Sequence, residues 1–187
     1  MTTNTRAAST YQIKITLDES KPLIWRQIRV PGATSLYKLH NILQLVMGWE
    51  DGHLHEFIIG GKKYSHPDAE LEDSLDGRKV TLTQLGLSEN SIFTYIYDFG
   101  DSWGHSLLVE KISPSENTIT SNPACLAGQK ACPPEDCGGI WGYEEFIVAI
   151  KDPKHERHEE LLDWVGGVFD PESFDLNAIN KALRKLK

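Results

Sequence analysis

The first third of the chain changes its hydrophobic period once, and abruptly. In "YQIKITLD" the apolar residues Ile13, Ile15 and Leu17 alternate with polar ones, the period of a half-buried strand. After the turn "ESKP", the stretch "LIWRQIRV" alternates again. Leu23, Trp25, Gln27 and Arg29 fall on one side, and Ile24, Arg26, Ile28 and Val30 on the other. Pro31 and Gly32 end that strand. From Leu36 the spacing becomes helical, with Leu36, Leu39, Leu43 and Val46 on one stripe. Thr34 or Ser35 stands where an N-cap belongs, and Gly48 where a helix stops. A two-stranded hairpin is marginal by itself in water. It needs this helix over one face and further strands at its side, which makes the class α+β.

The remaining segments supply those strands. "HLHEFIIGGKKYS" reads as a strand with a Gly-Gly turn, followed by an acidic loop from Asp68 to Asp76. "VTLTQLGL" reads as a short helical turn before the strands "IFTYIYDF" and "WGHSLLVEKI". Hairpin, helix, strand, short turn and strand is the β-grasp layout. The expectation is a β-grasp-like mixed sheet with one packed helix over residues 11–112. A Cys/Pro loop then covers 113–139 and a helical C-terminal cap 140–187, with helical patterns at 143–150, 155–165 and 176–186. Residues 1–10 read as a disordered leader, and 11–187 as a single domain.

Formal net charge is −8, and no Lys/Arg cluster stands out, so broad nucleic-acid binding is not expected. No apolar run reaches membrane-spanning length and no export signal opens the chain, which points to the cytoplasm and away from a membrane. Cys125, Cys132 and Cys137 then read as thiols or metal ligands rather than a disulfide framework. There is no P-loop, no G-x-G-x-x-G and no G-x-S-x-G elbow.

Two stretches carry more chemistry than a fold requires. "YDFGDSWGH" sets Asp98, Asp101, Trp103 and His105 around a tight turn. "HLH" places His53 and His55 two residues apart; on one strand face their Cα atoms would lie about 7 Å apart, a spacing that serves two ligands of one ion. His53, His55, His105, Asp98 and Asp101 form a mixed nitrogen and oxygen set suited to a divalent transition metal: zinc, manganese or iron. Two readings stand open for each residue: ligand, or partly buried histidine and turn-capping aspartate. In "ACPPEDCGGIWGYEEF", Glu135 and Asp136 are adjacent carboxylates, and Cys137 lies just before a helix, where amides would favour a thiolate. Glu135, Asp136 and Cys137 are the catalytic candidates. A pocket would be floored by Trp103 and completed by Gly138, Gly139 and Tyr143, with amides after Cys137 free to hold a polar or anionic group.

"YDFGDSWGH", then "ACPPEDCGGIWGY", then "FDPESFDLNAIN", in that order, resemble the Ri-plasmid ORF-three-like family (plasmid pRiA4b type). The resemblance extends over about Tyr11 to Leu186 and includes "PLIWRQIRVP" and "LHNILQLVMGWEDGHLHEF". It implies a single α/β domain associated with plasmids and other mobile elements, and points to the same histidine, aspartate and cysteine-loop positions. The function expected is a binding or accessory module for a protein or a small polar or anionic ligand, its pocket formed where the HLH strand, the YDFGDSWGH hairpin and the PPEDCGG loop meet. Its rival is a metal-dependent hydrolase, a phosphoesterase or nuclease, with Glu135 or Asp136 as general base. A third reading makes Cys137 a nucleophile with His105 as its base.

Overall fold

The computed structural model describes residues 9–114 and 122–186. β1 (Ser9–Leu17) and β2 (Trp25–Pro31) form the opening hairpin, and α1 (Leu36–Met47) follows. β3 (His55–Ile59), β4 (Lys62–Ser65) and β5 (Ser74–Asp76) lead to α2 (Leu82–Leu85). β6 (Ile92–Tyr97), β7 (Trp103–Pro114) and β8 (Ala124–Gln129) complete one sheet in the order β5-β4-β3-β6-β7-β1-β2-β8. Three helices close the chain: α3 (Gly139–Lys151), α4 (His158–Trp164) and α5 (Leu176–Leu183). Among the described residues, no helix is long and apolar enough to cross a membrane.

The fold is α+β, a mixed sheet with a packed helix and a helical C-terminal part. Its order departs from the β-grasp layout at one place: β7 lies between β1 and β6, antiparallel to both. Two boundaries differ from expectation. Ser9 and Thr10, within the expected leader, already pair in the sheet; residues 1–8 lie outside the described residues. The expected loop 113–139 holds β8, paired with β2. Its sequence, "ACLAGQ", has no β-branched residue and a glycine; pairing decides its conformation, not propensity. Residues 115–121 of that loop lie outside the described residues. β8 is an edge strand, and α5 covers it with one side chain. Asn180 accepts from the Cys125 amide at 3.0 Å and donates to the Cys125 carbonyl at 2.9 Å.

Arg26 on β2 is only 3% exposed, on the same inward row as Ile24, Ile28 and Val30. A guanidinium has five N–H donors, and all five are used here. Nε donates to the Val46 carbonyl at the end of α1 at 2.8 Å. Nη1 donates to the Trp25 and Gln129 carbonyls, and Nη2 to the Lys130 carbonyl and the Cys132 sulfur at 3.1 Å. Phe174 lies 4.9 Å over the guanidinium. Gly128 makes room for this stack, since a Cβ there would stand 2.5 Å from the Phe174 ring.

Histidines occupy the end of the core nearest the candidate site. His40 on α1 bonds Asp51 through Nε2 at 2.7 Å and the Tyr95 hydroxyl through Nδ1 at 2.8 Å. The carboxylate can only accept, so Nε2 carries the proton and Tyr95 donates to Nδ1. Gln44 donates to the Tyr95 oxygen at 3.0 Å and accepts from the Asp51 amide at 3.0 Å, which closes a ring of four residues. His55 stacks on His40 with ring centroids 3.5 Å apart. His105 is fully buried against Tyr95 and Trp49.

Two predictions follow from these buried groups. Arg26→Met leaves four carbonyls short of a donor and lowers the urea midpoint at unchanged m-value, a loss of about 3–5 kcal/mol. Arg26→Lys fails to restore it, because an ammonium cannot reach five acceptors held in a planar fork. Burial pushes the His55 imidazole down to about 3 and that of His105 to about 4, from an ordinary 6.5. The unfolded chain therefore binds more protons than the folded one below pH 6.5. Stability is full above pH 6.5 and falls by up to about 1.4 kcal/mol per pH unit per histidine as pH drops toward 4. Urea melts at pH 7.5, 6, 5 and 4 measure it; His105→Gln should flatten the slope.

Candidate functional site

The site is built on the segment that leaves α1. Gly48 ends the helix in a left-handed conformation (φ 90°), and each of the next four residues is then held. The Trp49 indole donates to the Pro133 carbonyl at 3.0 Å. The Glu50 amide donates to Glu135 Oε1 at 2.7 Å. Asp51 is fixed by His40 and Gln44, and the Gly52 amide donates to the Tyr97 hydroxyl at 3.0 Å. Tyr97 in turn donates to Glu135 Oε1 at 2.8 Å; burial, then this carboxylate, raise its hydroxyl above the ordinary value. His53 comes next, on a segment with almost no freedom left.

Three carboxylates converge on the His53 ring. Asp98 Oδ2 lies 3.8 Å from Nδ1, Asp136 Oδ1 3.2 Å from Nε2, and Glu135 Oε2 3.7 Å from Nε2. One ligand atom each from His53, Asp98 and Asp136 fall within 4.8 Å of one another. Among the described residues, none of the three acids is ion-paired to a lysine or arginine. Asp98 is 7% exposed and Asp136 opens to solvent. Both have left-handed backbone, φ 55° and 58°. Asp98 takes the turn-capping role open to it in the sequence, Oδ1 accepting from the Gly100 amide at 2.9 Å, while Oδ2 faces His53.

The other sequence candidates are placed elsewhere. β3 begins at His55, so strand parity does not extend to His53, and the two imidazoles have different surroundings. His55 stacks on His40 and His105 is enclosed in the core; neither reaches the three carboxylates. Asp101 holds the two loops together instead, accepting from the Gly138 amide at 3.1 Å. That bond takes an amide expected to bind an external anion. Gly139 passes so close to the hairpin that a Cβ would stand 2.6 Å from the Asp101 carbonyl, at a φ of 68°. Trp103 is 2% exposed and packs at 6.0 Å from Trp49, a core residue rather than a pocket floor. Tyr143 packs on Phe146 and Phe169. The helix terminus does not make Cys137 a thiolate: burial, with Asp101 and Asp136 adding, pushes the thiol up to about 12. His105, its expected base, is bound to the Tyr95 carbonyl inside the core. Cys125 and Cys132 are buried free thiols.

The residues missed in the sequence are Trp49, Glu50, Asp51 and Tyr97. A usable signal was there, since "GWEDG" brackets two acids between glycines directly after a helix and directly before the HLH stretch.

Comparison with known proteins gives the same placement throughout. The chain is 40% identical over 182 residues to the uncharacterized protein y4hQ of Sinorhizobium fredii (strain NBRC 101917 / NGR234), covering 96% of this chain and 93% of that one. The crystal structure of the protein of unknown function MM3350 from Methanosarcina mazei Go1 superposes with a TM-score of 0.81 at 40% identity, covering 90% of this chain and 96% of that one. The model of the plasmid pRiA4b ORF-3-like proteins matches residues 9–178, and the chain belongs to that family.

Proposed function

We propose that the protein is a binding module whose site is the junction of the His53 segment, the Asp98 hairpin and the Glu135-Asp136 loop, and that it holds a divalent transition metal ion there. The observation that carries this is the charge of the junction. Three carboxylates meet at one imidazole with no lysine or arginine partner among the described residues, an arrangement that repels itself until a cation enters. The contacts to His53 are 3.2–3.8 Å, longer than good hydrogen bonds and of the order of the spacing between ligands that share an ion. Carboxylates flank both ring nitrogens. One nitrogen can take the ion while the other donates to a carboxylate, the usual outer arrangement of a metal-bound imidazole. His53 with Asp98 and Asp136 would supply one nitrogen and two oxygens, which suits zinc, manganese or iron.

Binding is favoured over hydrolysis by the state of Glu135. Its Oε1 already accepts two hydrogen bonds, so it is a fixed strut rather than a free base, and Asp136 would have to serve as ligand and base together.

Protein prepared without chelator is expected to contain close to one equivalent of such an ion by inductively coupled plasma mass spectrometry. The ion should disappear in His53→Ala and in Asp98→Asn, and remain in Cys137→Ala and His105→Gln. Adding the ion at about 100 times its Kd to chelator-treated protein should stabilise the fold by about 2.7 kcal/mol. Absence of any ion in the native protein, together with no thermal shift on adding zinc, manganese or iron, would refute the reading.

A further inference from the structure

Beside the carboxylate junction is a cavity of about 270 Å³, with His53 in the wall between them. Its other walls come from Tyr37 and His40 on α1, Asp51, His55 at the start of β3, and His66 and Asp68 after β4. His55 is 7% exposed, yet its ring makes no hydrogen bond among the described residues. Its ring is held by stacking on His40 and edge contact with Phe57, and it is one of the cavity walls. Buried polar groups are almost always paired; His40 is paired at both ring nitrogens and His105 at Nδ1. Asp51 gives Oδ1 to His40, which leaves Oδ2 without a side-chain or backbone partner among the described residues, and Asp68 is a second carboxylate at the rim. Among the lining residues there is no lysine or arginine.

We propose that this cavity binds an alkylammonium group. The acceptors available to it, Asp51 Oδ2, a His55 ring nitrogen and the Tyr37 hydroxyl, come from three different elements. A compact –NH3⁺ with three radiating donors fits that arrangement better than a planar guanidinium fork does. The rings of Tyr37 and His66, 5.5 Å apart, and the His40–His55 stack add π faces toward a cation. An anion would meet Asp51 and Asp68 with no neutralising side chain. A second metal ion lacks converging donors, because among the described residues the one group of three or more potential ligands is His53, Asp98 and Asp136. The ammonium can be that of a free small amine or the lysine side chain of a partner protein. The proposal goes beyond the ion at His53 and does not depend on it.

The test is a titration of the chelator-treated full chain, followed through the histidine ring resonances in ¹H–¹³C spectra. The probes are n-butylammonium, Nα-acetyl-lysine amide and, as the anionic control, succinate. The expected result is a saturable shift of the His55 and His66 signals with an ammonium probe and none with succinate. Asp51→Asn keeps the acceptor for His40 and should weaken binding by about tenfold or more. Asp68→Asn, at an exposed position that does not endanger folding, should weaken it by a smaller factor. Response to n-butylammonium alone identifies a free amine, and response to the lysine amide a partner's side chain. No saturable shift with either ammonium, an equal response to succinate, or unchanged affinity in both aspartate variants overturns the proposal.

Discussion

The geometry of the junction depends on a charge kept out of water. Arg26 lies in the core, and its guanidinium finds no carboxylate among the described residues, only four carbonyls and a thiol. An ion so placed is costly unless every donor is matched. Here the matching also sets position. One acceptor is Val46, two residues before the Gly48 cap from which the His53 segment departs. Others are Gln129 and Lys130, where β8 gives way to the loop that carries Glu135 and Asp136. The two loops that approach each other at His53 are thus tied at their roots to one rigid planar group. A hydrophobic side chain of similar volume would fill the same space without setting their separation.

From that base the constraint passes along hydrogen bonds rather than apolar contacts. The ring of Gln44, Tyr95, His40 and Asp51 holds the far side of the His53 segment, and Tyr97 bridges Gly52 to Glu135. Sheet and site are thereby continuous, for Tyr95 and Tyr97 are consecutive inward residues of β6. The carboxylates are aimed by backbone that strands and helices do not use. Asp51, Asp98 and Asp136 all have positive φ, which aspartate tolerates better than most residues. Sparsely populated backbone of this kind is common where a site is prepared in advance of its ligand.

The elements legible in the sequence were those with a strong period. Ile13, Ile15 and Leu17, the inward row of β2 and the α1 stripe all read correctly, because in each the side-chain pattern and the backbone period agree. β8 was not legible, since "ACLAGQ" is extended only through its neighbour β2. Parity misled at the HLH stretch, where the strand starts two residues too late to include His53. Asp98 and Asp136 were visible as residues out of place in a turn, but their convergence was not. It comes from Arg26 and Tyr97, which tie segments 20 to 104 residues apart, and from Asp51, bound back to α1. The same remoteness concealed the fate of Cys137: proximity to a helix terminus is a local signal, whereas the carboxylates around the thiol come from two loops.

The side chain of Asn180 has a consequence of another kind. A sheet of eight strands ends in two rows of backbone groups that invite a further strand, from this chain or another. At one margin β5 is only three residues long. At the other, the Asn180 amide occupies both the donor and the acceptor of Cys125, as a peptide group of a ninth strand would. α5 therefore closes the ladder from its end, with a side chain imitating main chain. At Cys125 the defence against intermolecular β-pairing is that carboxamide, whose paired donor and acceptor aspartate or leucine could not reproduce.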